Sequence, residues 1–466
     1  MFKKDITFAL FFGNRGFFPG ESIGSAREEM KKAVKDAGFN FICMDEDKTR
    51  YGAVETAEEG AQYAEFLEEN RGKFDGIILC MPNFSDENGA QAALKNVNVP
   101  ILVQAYPDEI GLMDFAHRRD AMCGKFAMCN VLRQSDIKYT LTKDFVVSPS
   151  SQKFASDLKR FAGICRVVKG MKNFNLGAIG ARTTAFKTVR LDEIALQKKG
   201  INVETIDLSE LFSRVKKITP DRVESIKEDI LKITTFSSYP EEKLNNMAKV
   251  HAALLDIISE YKLDSVAIRC WNEFQLELGI APCTSLGLLN ELGISASCEV
   301  DVTNAIMMRA LSLATDEPCM LLDYNNNYGD ADDKAIMFHC GPIAPSMLDG
   351  KGEITEHLMF KKSFGDGTGV GVNKGKIKTG DITFGSIKTE NGKICGFVTE
   401  GEFTDDPIEE AFFGCGRVVK KENINDLSNY MALNGYKHHV AIVYGECKDI
   451  ITEAFSKYLG YEIEEV

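Results

Sequence analysis

The run Ser297-Cys298-Glu299-Val300-Asp301-Val302 sets two carboxylates two residues apart, between an apolar strand pattern (Ile294–Ser297) and an apolar helix pattern (Thr303–Leu313). At a strand end, residues i and i+2 point to one side, so both acids are expected to face a common site. Asp301 precedes the helix, where an acid often caps the first turn; capping, or hydrogen-bond support of a neighbouring ligand, is favoured over direct ligation. Glu299 has no such role, and a charged side chain amid Cys and Val needs a partner. Met320-Leu321-Leu322-Asp323-Tyr324 is a second strand pattern ending in an acid, followed by the polar loop Asn325–Asp333. Alone, Asp323 reads as the cap of an asparagine-rich turn. Paired with Glu299, it reads as half of a metal-holding carboxylate pair at the end of an open sheet.

The chain has only six histidines. His339 ends the strand pattern Ala335–Phe338, and His438-His439 precede the strand pattern Val440–Val443. A lone His is more often satisfied in the core or at the surface than bound to metal. In a chain this poor in His, a pair beside a buried strand reads equally as ligation or as structure. Two carboxylates and one imidazole with open positions suit Mn2+ or Mg2+ better than structural zinc. Trp271, the single tryptophan, follows the strand pattern Ser265–Cys270 and reads equally as a ligand-lining or a half-buried core aromatic. Arg182, after Gly180, reads as a structural charge in a turn. The loop Gly13-Asn14-Arg15-Gly16-Phe17-Phe18-Pro19-Gly20 could cradle a phosphate through backbone N–H groups. Its spacing is neither G-x-G-x-x-G nor a P-loop, so a wide turn at a strand's carboxyl end is favoured. Arg15 at its tip stands at the edge where such sheets bind ligands.

The elements that must position these residues follow from periodicity. Strand patterns at Ile6–Phe12, Phe41–Met44, Gly76–Met81 and Ile101–Ala105 alternate with helical spacing such as Ser25–Ala37 and Glu55–Asn70. Strands separated by helices imply a parallel sheet covered on both faces. The pattern restarts at Phe174–Ile179 and continues through Val203–Leu208, Ser265–Cys270 and Cys319–Leu322, with long polar helices across Pro220–Tyr261. Beyond Pro345, Lys351–Lys421 alternates apolar and polar residues around a Glu390-Asn391-Gly392 hairpin signal, an antiparallel sheet or small barrel. A helix at Asn425–Ala432, the strand Val440–Val443 and a helix at Asp449–Leu459 follow. The expected class is α/β: Rossmann-like, doubly wound domains over 1–170 and 171–345, then a β-rich domain over 346–466 carrying the double His.

Composition bounds the rest. At ~150 residues per domain, 466 residues suggest about three domains. Hydrophobic and charged fractions of 44% and 27% exclude disordered, collagen-like and coiled-coil classes. A net charge of −14 argues against a nucleic-acid partner, since phosphate binding wants surplus Lys and Arg. No apolar run approaches the ~20 residues of a membrane span. The opening MFKKDITFALFFGNRGFF lacks a small-residue cleavage site and Asp5 interrupts it, so it reads as a first strand rather than a leader. Thirteen cysteines without a C-x-x-C pair read as small buried hydrophobes in a reducing cytosol, and a cytoplasmic protein is expected.

Together these residues resemble the L-arabinose/L-fucose isomerase family of metal-dependent aldose–ketose isomerases. CEVDVTNAIMMRAL is similar to the stretch around the family's first metal-binding glutamate, which implies that role for Glu299. The second family acid falls on Asp323; the fucose branch has aspartate there, whereas the arabinose branch would place glutamate at Leu322. NGYKHHVAIVYGE resembles the family's double-His stretch, whose second member, here His439, is the ligand. His339 falls where the arabinose branch has a further ligand, and FFGNRGFFP is similar to the family's start. The resemblance implies Mn2+ or another divalent ion such as Mg2+ or Co2+, with Glu299 and Asp323 as catalytic acids working through a cis-enediol. It also implies a homo-oligomer, hexameric or trimer-based, with the active site at a subunit interface, where Arg15 would reach a sugar held by the next subunit. Trp271, His339 and His438 are the further candidates for sugar contact. The substrate could be a 6-deoxyhexose, a pentose or an anionic hexose. Two other readings are a non-catalytic sugar-binding regulator on the same scaffold and, more weakly, a nucleotide-dependent oxidoreductase using the Gly13–Gly20 loop.

Overall fold

The computed structural model describes residues 6–409 and 413–466; Lys3–Asp5, part of the opening run read as strand rather than leader, lie outside them. The chain divides into two compact units, one up to Lys169 and one from Gly170 onward.

In the first unit, β1 (Thr7–Phe12), β2 (Asn40–Cys43), β3 (Gly76–Met81), β4 (Ile101–Ala105) and β5 (Thr140–Leu141) form a parallel sheet in the order β2-β1-β3-β4-β5. The continuous apolar runs of β1, β3 and β4 are buried on both faces, as strands of a covered parallel sheet must be. Helices follow the strands; Ala57–Glu69 opens with a capping box between Thr56 and Glu59. The strand order reverses between β1 and β3, so the Gly13–Gly20 turn leaves the sheet at its switch point. The N–H groups of Gly13 and Asn14 are spent on the carbonyls of Cys80 and Val54, which makes this a structural turn.

The second unit begins with β6 (Phe174–Ile179) and β7 (Ile201–Ile206). After the short β8 (Thr234–Thr235) come β9 (Ser265–Ile268) and β10 (Ser295–Cys298). A second parallel sheet runs β10-β9-β6-β7. The remaining strands are β11 (Met320–Asn327), β12 (Lys334–His339), β13 (Gly352–Glu356), β14 (Val370–Lys376), β15 (Gly380–Glu390), β16 (Lys393–Phe403), β17 (Cys415–Lys420), β18 (His439–Tyr444) and β19 (Glu462–Glu465). With β8 they make a large mixed sheet. Within it, antiparallel pairings run β16–β15–β18–β11–β12–β17 and return to β16, closing a ring.

One placement differs from the sequence reading. The Cys319–Leu322 pattern, expected in the second doubly wound sheet, forms β11 of the mixed sheet. A polar loop too short for a crossover helix joins β11 to β12, and such a loop permits only an antiparallel pair. The hairpin signal at Asn391-Gly392 is realised between β15 and β16: Glu390 pairs with Lys393, and the two turn residues have φ of 50° and 76°. The fourteen-residue helix Val302–Thr315 is almost wholly buried and packs on β9 and β10 on one side and β15 and β18 on the other. Gly385 of β15 allows that approach, since a Cβ there would stand 2.4 Å from Met307 Cε. All thirteen cysteines are free. Among the described residues, no helix is long and apolar enough to cross a membrane.

Candidate metal centre

Three elements of the second unit bring the sequence-predicted acids and imidazoles together. The turn after β10 supplies Glu299 and Asp301, β11 supplies Asp323, and β18 opens with His439. Asp323 and His439 are direct cross-strand partners, so the ladder register sets their spacing. Glu299 and Val300 both adopt left-handed backbone, with φ of 60° and 59°. A β-branched residue there costs on the order of 1–3 kcal/mol and persists only where surroundings impose it. Bonds from Val300 N to Ile268 O at 3.2 Å and from Asp301 N to Cys298 O at 3.0 Å hold the turn. The expectation that Glu299 and Asp301 share one strand face therefore fails. The strand ends at Cys298, and the turn sends the two acids to opposite edges of one imidazole.

That imidazole is His439, which is fully buried. Its Nδ1 lies 2.8 Å from Asp301 Oδ2, while Nε2 lies 2.9 Å from Glu299 Oε2 and 3.4 Å from Asp323 Oδ1. Asp301 caps helix 302–315 through Asn304 N at 3.1 Å, accepts Lys437 Nζ at 2.7 Å, and accepts Asn304 Nδ2 at 2.9 Å. It thus caps the helix, as favoured for it from sequence, and hydrogen-bonds the ring of His439. Asn304 Nδ2 also donates to His439 O at 3.0 Å, and its Oδ1 accepts from Ser386 Oγ and Ile387 N. Lys437 donates further to Thr303 and to Ile387 O. Although burial opposes its charge, Asp301 is held well below the usual carboxylate range by Lys437 and His439. Burial likewise opposes a charge on His439, but Asp301 and Glu299 prevail and raise it to about 10.

An Asp301 that stays ionised accepts from Nδ1–H and leaves the Nε2 lone pair of neutral His439 facing the site. Asp323 Oδ1 is buried without a hydrogen-bond partner, and His439 Nε2, although 2.9 Å from Glu299 Oε2, makes no well-aligned bond to it. Orphaned polar atoms of this kind call for an explanation, and a cation between them supplies one. The donor set Glu299, Asp323 and His439 fits a divalent ion of the Mn2+ or Mg2+ type. Ligand atoms of Glu299, His339 and His439 lie within 4.8 Å of one another, as do those of Asp323, His438 and His439.

The other candidates are placed as follows. His339 is buried, with Nε2 3.9 Å from Asp323 Oδ1. His438 is partly exposed, with Nε2 3.8 Å from the same oxygen; burial and the neighbouring His439 push its pKa down. Half-buried Trp271 donates Nε1–H to Glu299 Oε1 at 2.9 Å and packs against Phe186 with the rings tilted by 50° and centroids 5.5 Å apart. Arg182 bonds the Thr183 and Thr184 carbonyls, the turn charge expected of it. Arg15 belongs to the first unit, where its guanidinium lies over Phe84, bonds Ser85 O and pairs with Glu87. Sequence reasoning missed Lys437, Asn304, Ser386 and Phe186. Lys437 adjoins the double His and Asn304 sits three residues after Asp301, so both were readable. Ser386 and Phe186 arrive through tertiary structure and carried no local signal.

Two family models match the chain: the fucose/sulfoquinovose isomerase N-terminal domain over residues 9–172 and the L-fucose isomerase C-terminal domain over 337–466. A sulfoquinovose isomerase from Alkalicoccus urumqiensis is 24% identical over 402 residues, covering 83% of this chain and 85% of the relative. Sulfoquinovose isomerases from Priestia aryabhattai and Priestia megaterium are each 23% identical over 397 residues, with the same shares covered. The chain belongs to the fucose isomerase family and is an aldose–ketose isomerase.

Proposed function

We propose that this isomerase acts on a sulfonated hexose of the sulfoquinovose type and holds a divalent metal, Mn2+ or alternatively Mg2+ or Co2+, through Glu299, Asp323 and His439. The carrying observation is the buried Asp323 Oδ1, which has no hydrogen-bond partner, converging with the Glu299 carboxylate on the buried His439 Nε2. The names of the relatives support the substrate class. When bound, such a cation polarises the sugar carbonyl and stabilises negative charge developing on adjacent oxygens.

The residues supply the rest. A carboxylate of the Glu299/Asp323 pair removes the proton from the carbon beside the carbonyl and returns it to the neighbouring carbon, through a cis-enediol. Trp271 N–H fixes the Glu299 carboxylate and Asp301 fixes the His439 ring. His438, beside Asp323 and partly exposed, offers a sugar contact. Cysteine usage suits a reducing cytosol, and the family resemblance adds a homo-oligomer, hexameric or trimer-based, in which Arg15 reaches a sugar held by a neighbouring subunit.

A panel of aldoses assayed with Mn2+ tests this reading. Sulfonated hexose should be converted in preference to L-fucose and L-arabinose, and both chelation and Glu299→Gln should abolish turnover while leaving the fold intact. Full activity in the chelated enzyme would refute the metal; preference for a neutral sugar would refute the substrate class.

A further inference from the structure

His339 raises a question that distance cannot decide. Its ligand atom lies within 4.8 Å of those of Glu299 and His439, so the three could hold a metal on spacing alone. The hydrogen bonds decide it. Gly341 N donates to His339 Nδ1 at 3.0 Å. A backbone amide can only donate, so Nδ1 must present its lone pair there, and the ring proton of neutral His339 then sits on Nε2. Burial opposes and Asp323 favours a charged ring, yet an imidazolium would also carry a proton on Nε2. In either form Nε2 faces the site as N–H. Among the described residues it has no hydrogen-bond partner, and Asp323 Oδ1, at 3.9 Å, is too far to be one.

His439 is wired the opposite way. Its Nδ1 faces the Asp301 carboxylate, so the neutral ring keeps its proton on Nδ1 and turns the Nε2 lone pair to the site. Two imidazoles whose ring centroids are 5.8 Å apart thus present, in their neutral forms, opposite chemistry to one space. The register keeps them so: His339 ends β12 and His439 opens β18, on the two strands flanking β11.

Resting on the proposed metal-dependent isomerisation, we propose that His339 is a hydrogen-bond donor to a sugar oxygen beside the metal, not a metal ligand. A donor aimed at an oxygen where charge develops contributes to turnover without contributing to metal affinity. A ligand would contribute to both.

The test uses metal-stripped full-length protein titrated with Mn2+ and followed by electron paramagnetic resonance. His439→Ala should weaken Mn2+ binding at least tenfold, while His339→Ala should change it less than about threefold. With sulfonated hexose, His339→Ala should lower kcat about 10²-fold, the usual size for losing such a donor. His339→Gln, which keeps an N–H near the same place, should recover part of that loss. Electron spin-echo modulation on the wild type with Mn2+ should show no nitrogen coupling that disappears in His339→Ala. Such a coupling, or a loss of Mn2+ affinity in His339→Ala matching that of His439→Ala, would overturn the assignment while leaving the metal reading intact. A wild type that binds no Mn2+ would overturn both.

Discussion

His439 Nδ1 stands 2.8 Å from Asp301 Oδ2, a contact that joins a helix cap to a candidate metal ligand across 138 positions of chain. Asp301 holds the ring in one tautomer, and Lys437 and Asn304 hold Asp301. Asp301→Asn keeps a good capping residue, so helix 302–315 should survive. It removes the charge that fixes the ring, and Mn2+ affinity should fall about 10–100-fold. Calorimetric titration with circular dichroism as a fold control checks this; unchanged affinity would show that Asp301 serves the helix alone.

With His439 as the proposed ligand, metal and proton compete for its Nε2. Because the folded pKa is raised from 6.5 to about 10, metal-free protein near pH 7 carries a proton that the cation must displace. Mn2+ binding at pH 7 should therefore release close to one proton, measured from binding heats in buffers of different ionisation enthalpy. Affinity should rise about tenfold per pH unit until pH nears 10. The sign for stability is opposite: a raised imidazole pKa stabilises metal-free protein fully below pH 6.5, and this contribution is lost as pH rises towards 10. A pH-independent affinity would contradict His439 as ligand.

Trp271 is the only tryptophan, and its indole N–H bonds Glu299. Its emission should report the site directly. Paramagnetic Mn2+ should quench it with saturation, Mg2+ should quench far less, and chelator should restore the signal. Emission indifferent to Mn2+ at saturating concentration would place the ion elsewhere.

Much of this was legible in the chain because local rules agreed with the fold. The buried runs Gly76–Met81, Ile101–Ala105 and Phe174–Ile179 form strands with the boundaries read from them. Asn391-Gly392 fixed a turn because only such residues accept positive φ at both positions. The site was legible as residue types, since isolated carboxylates and a His pair beside apolar runs demand partners. Its geometry was not. Nothing in Glu299-Val300 announces consecutive left-handed residues, because Val disfavours them and the tertiary bond from Val300 N to Ile268 O helps impose them. The hydrogen bond from Trp271 and the support from Ser386 depend on segments far apart in sequence.

Lys437 gives the sharpest stability prediction. Its ammonium is buried against Asp301, Thr303 and Ile387 O, so Lys437→Met strands a buried carboxylate and should cost about 3–5 kcal/mol in metal-free protein. Asp301→Asn on its own strands the ammonium, again at a cost. Combining them removes both charges, so the double variant should melt above Lys437→Met alone, with a coupling of about 0.5–3 kcal/mol between the two sites. Thermal melting of the four proteins under chelator measures that coupling. Strictly additive losses would mean that the ammonium and the carboxylate do not sense each other, and that Asp301 is held by Asn304 and His439 without help from Lys437.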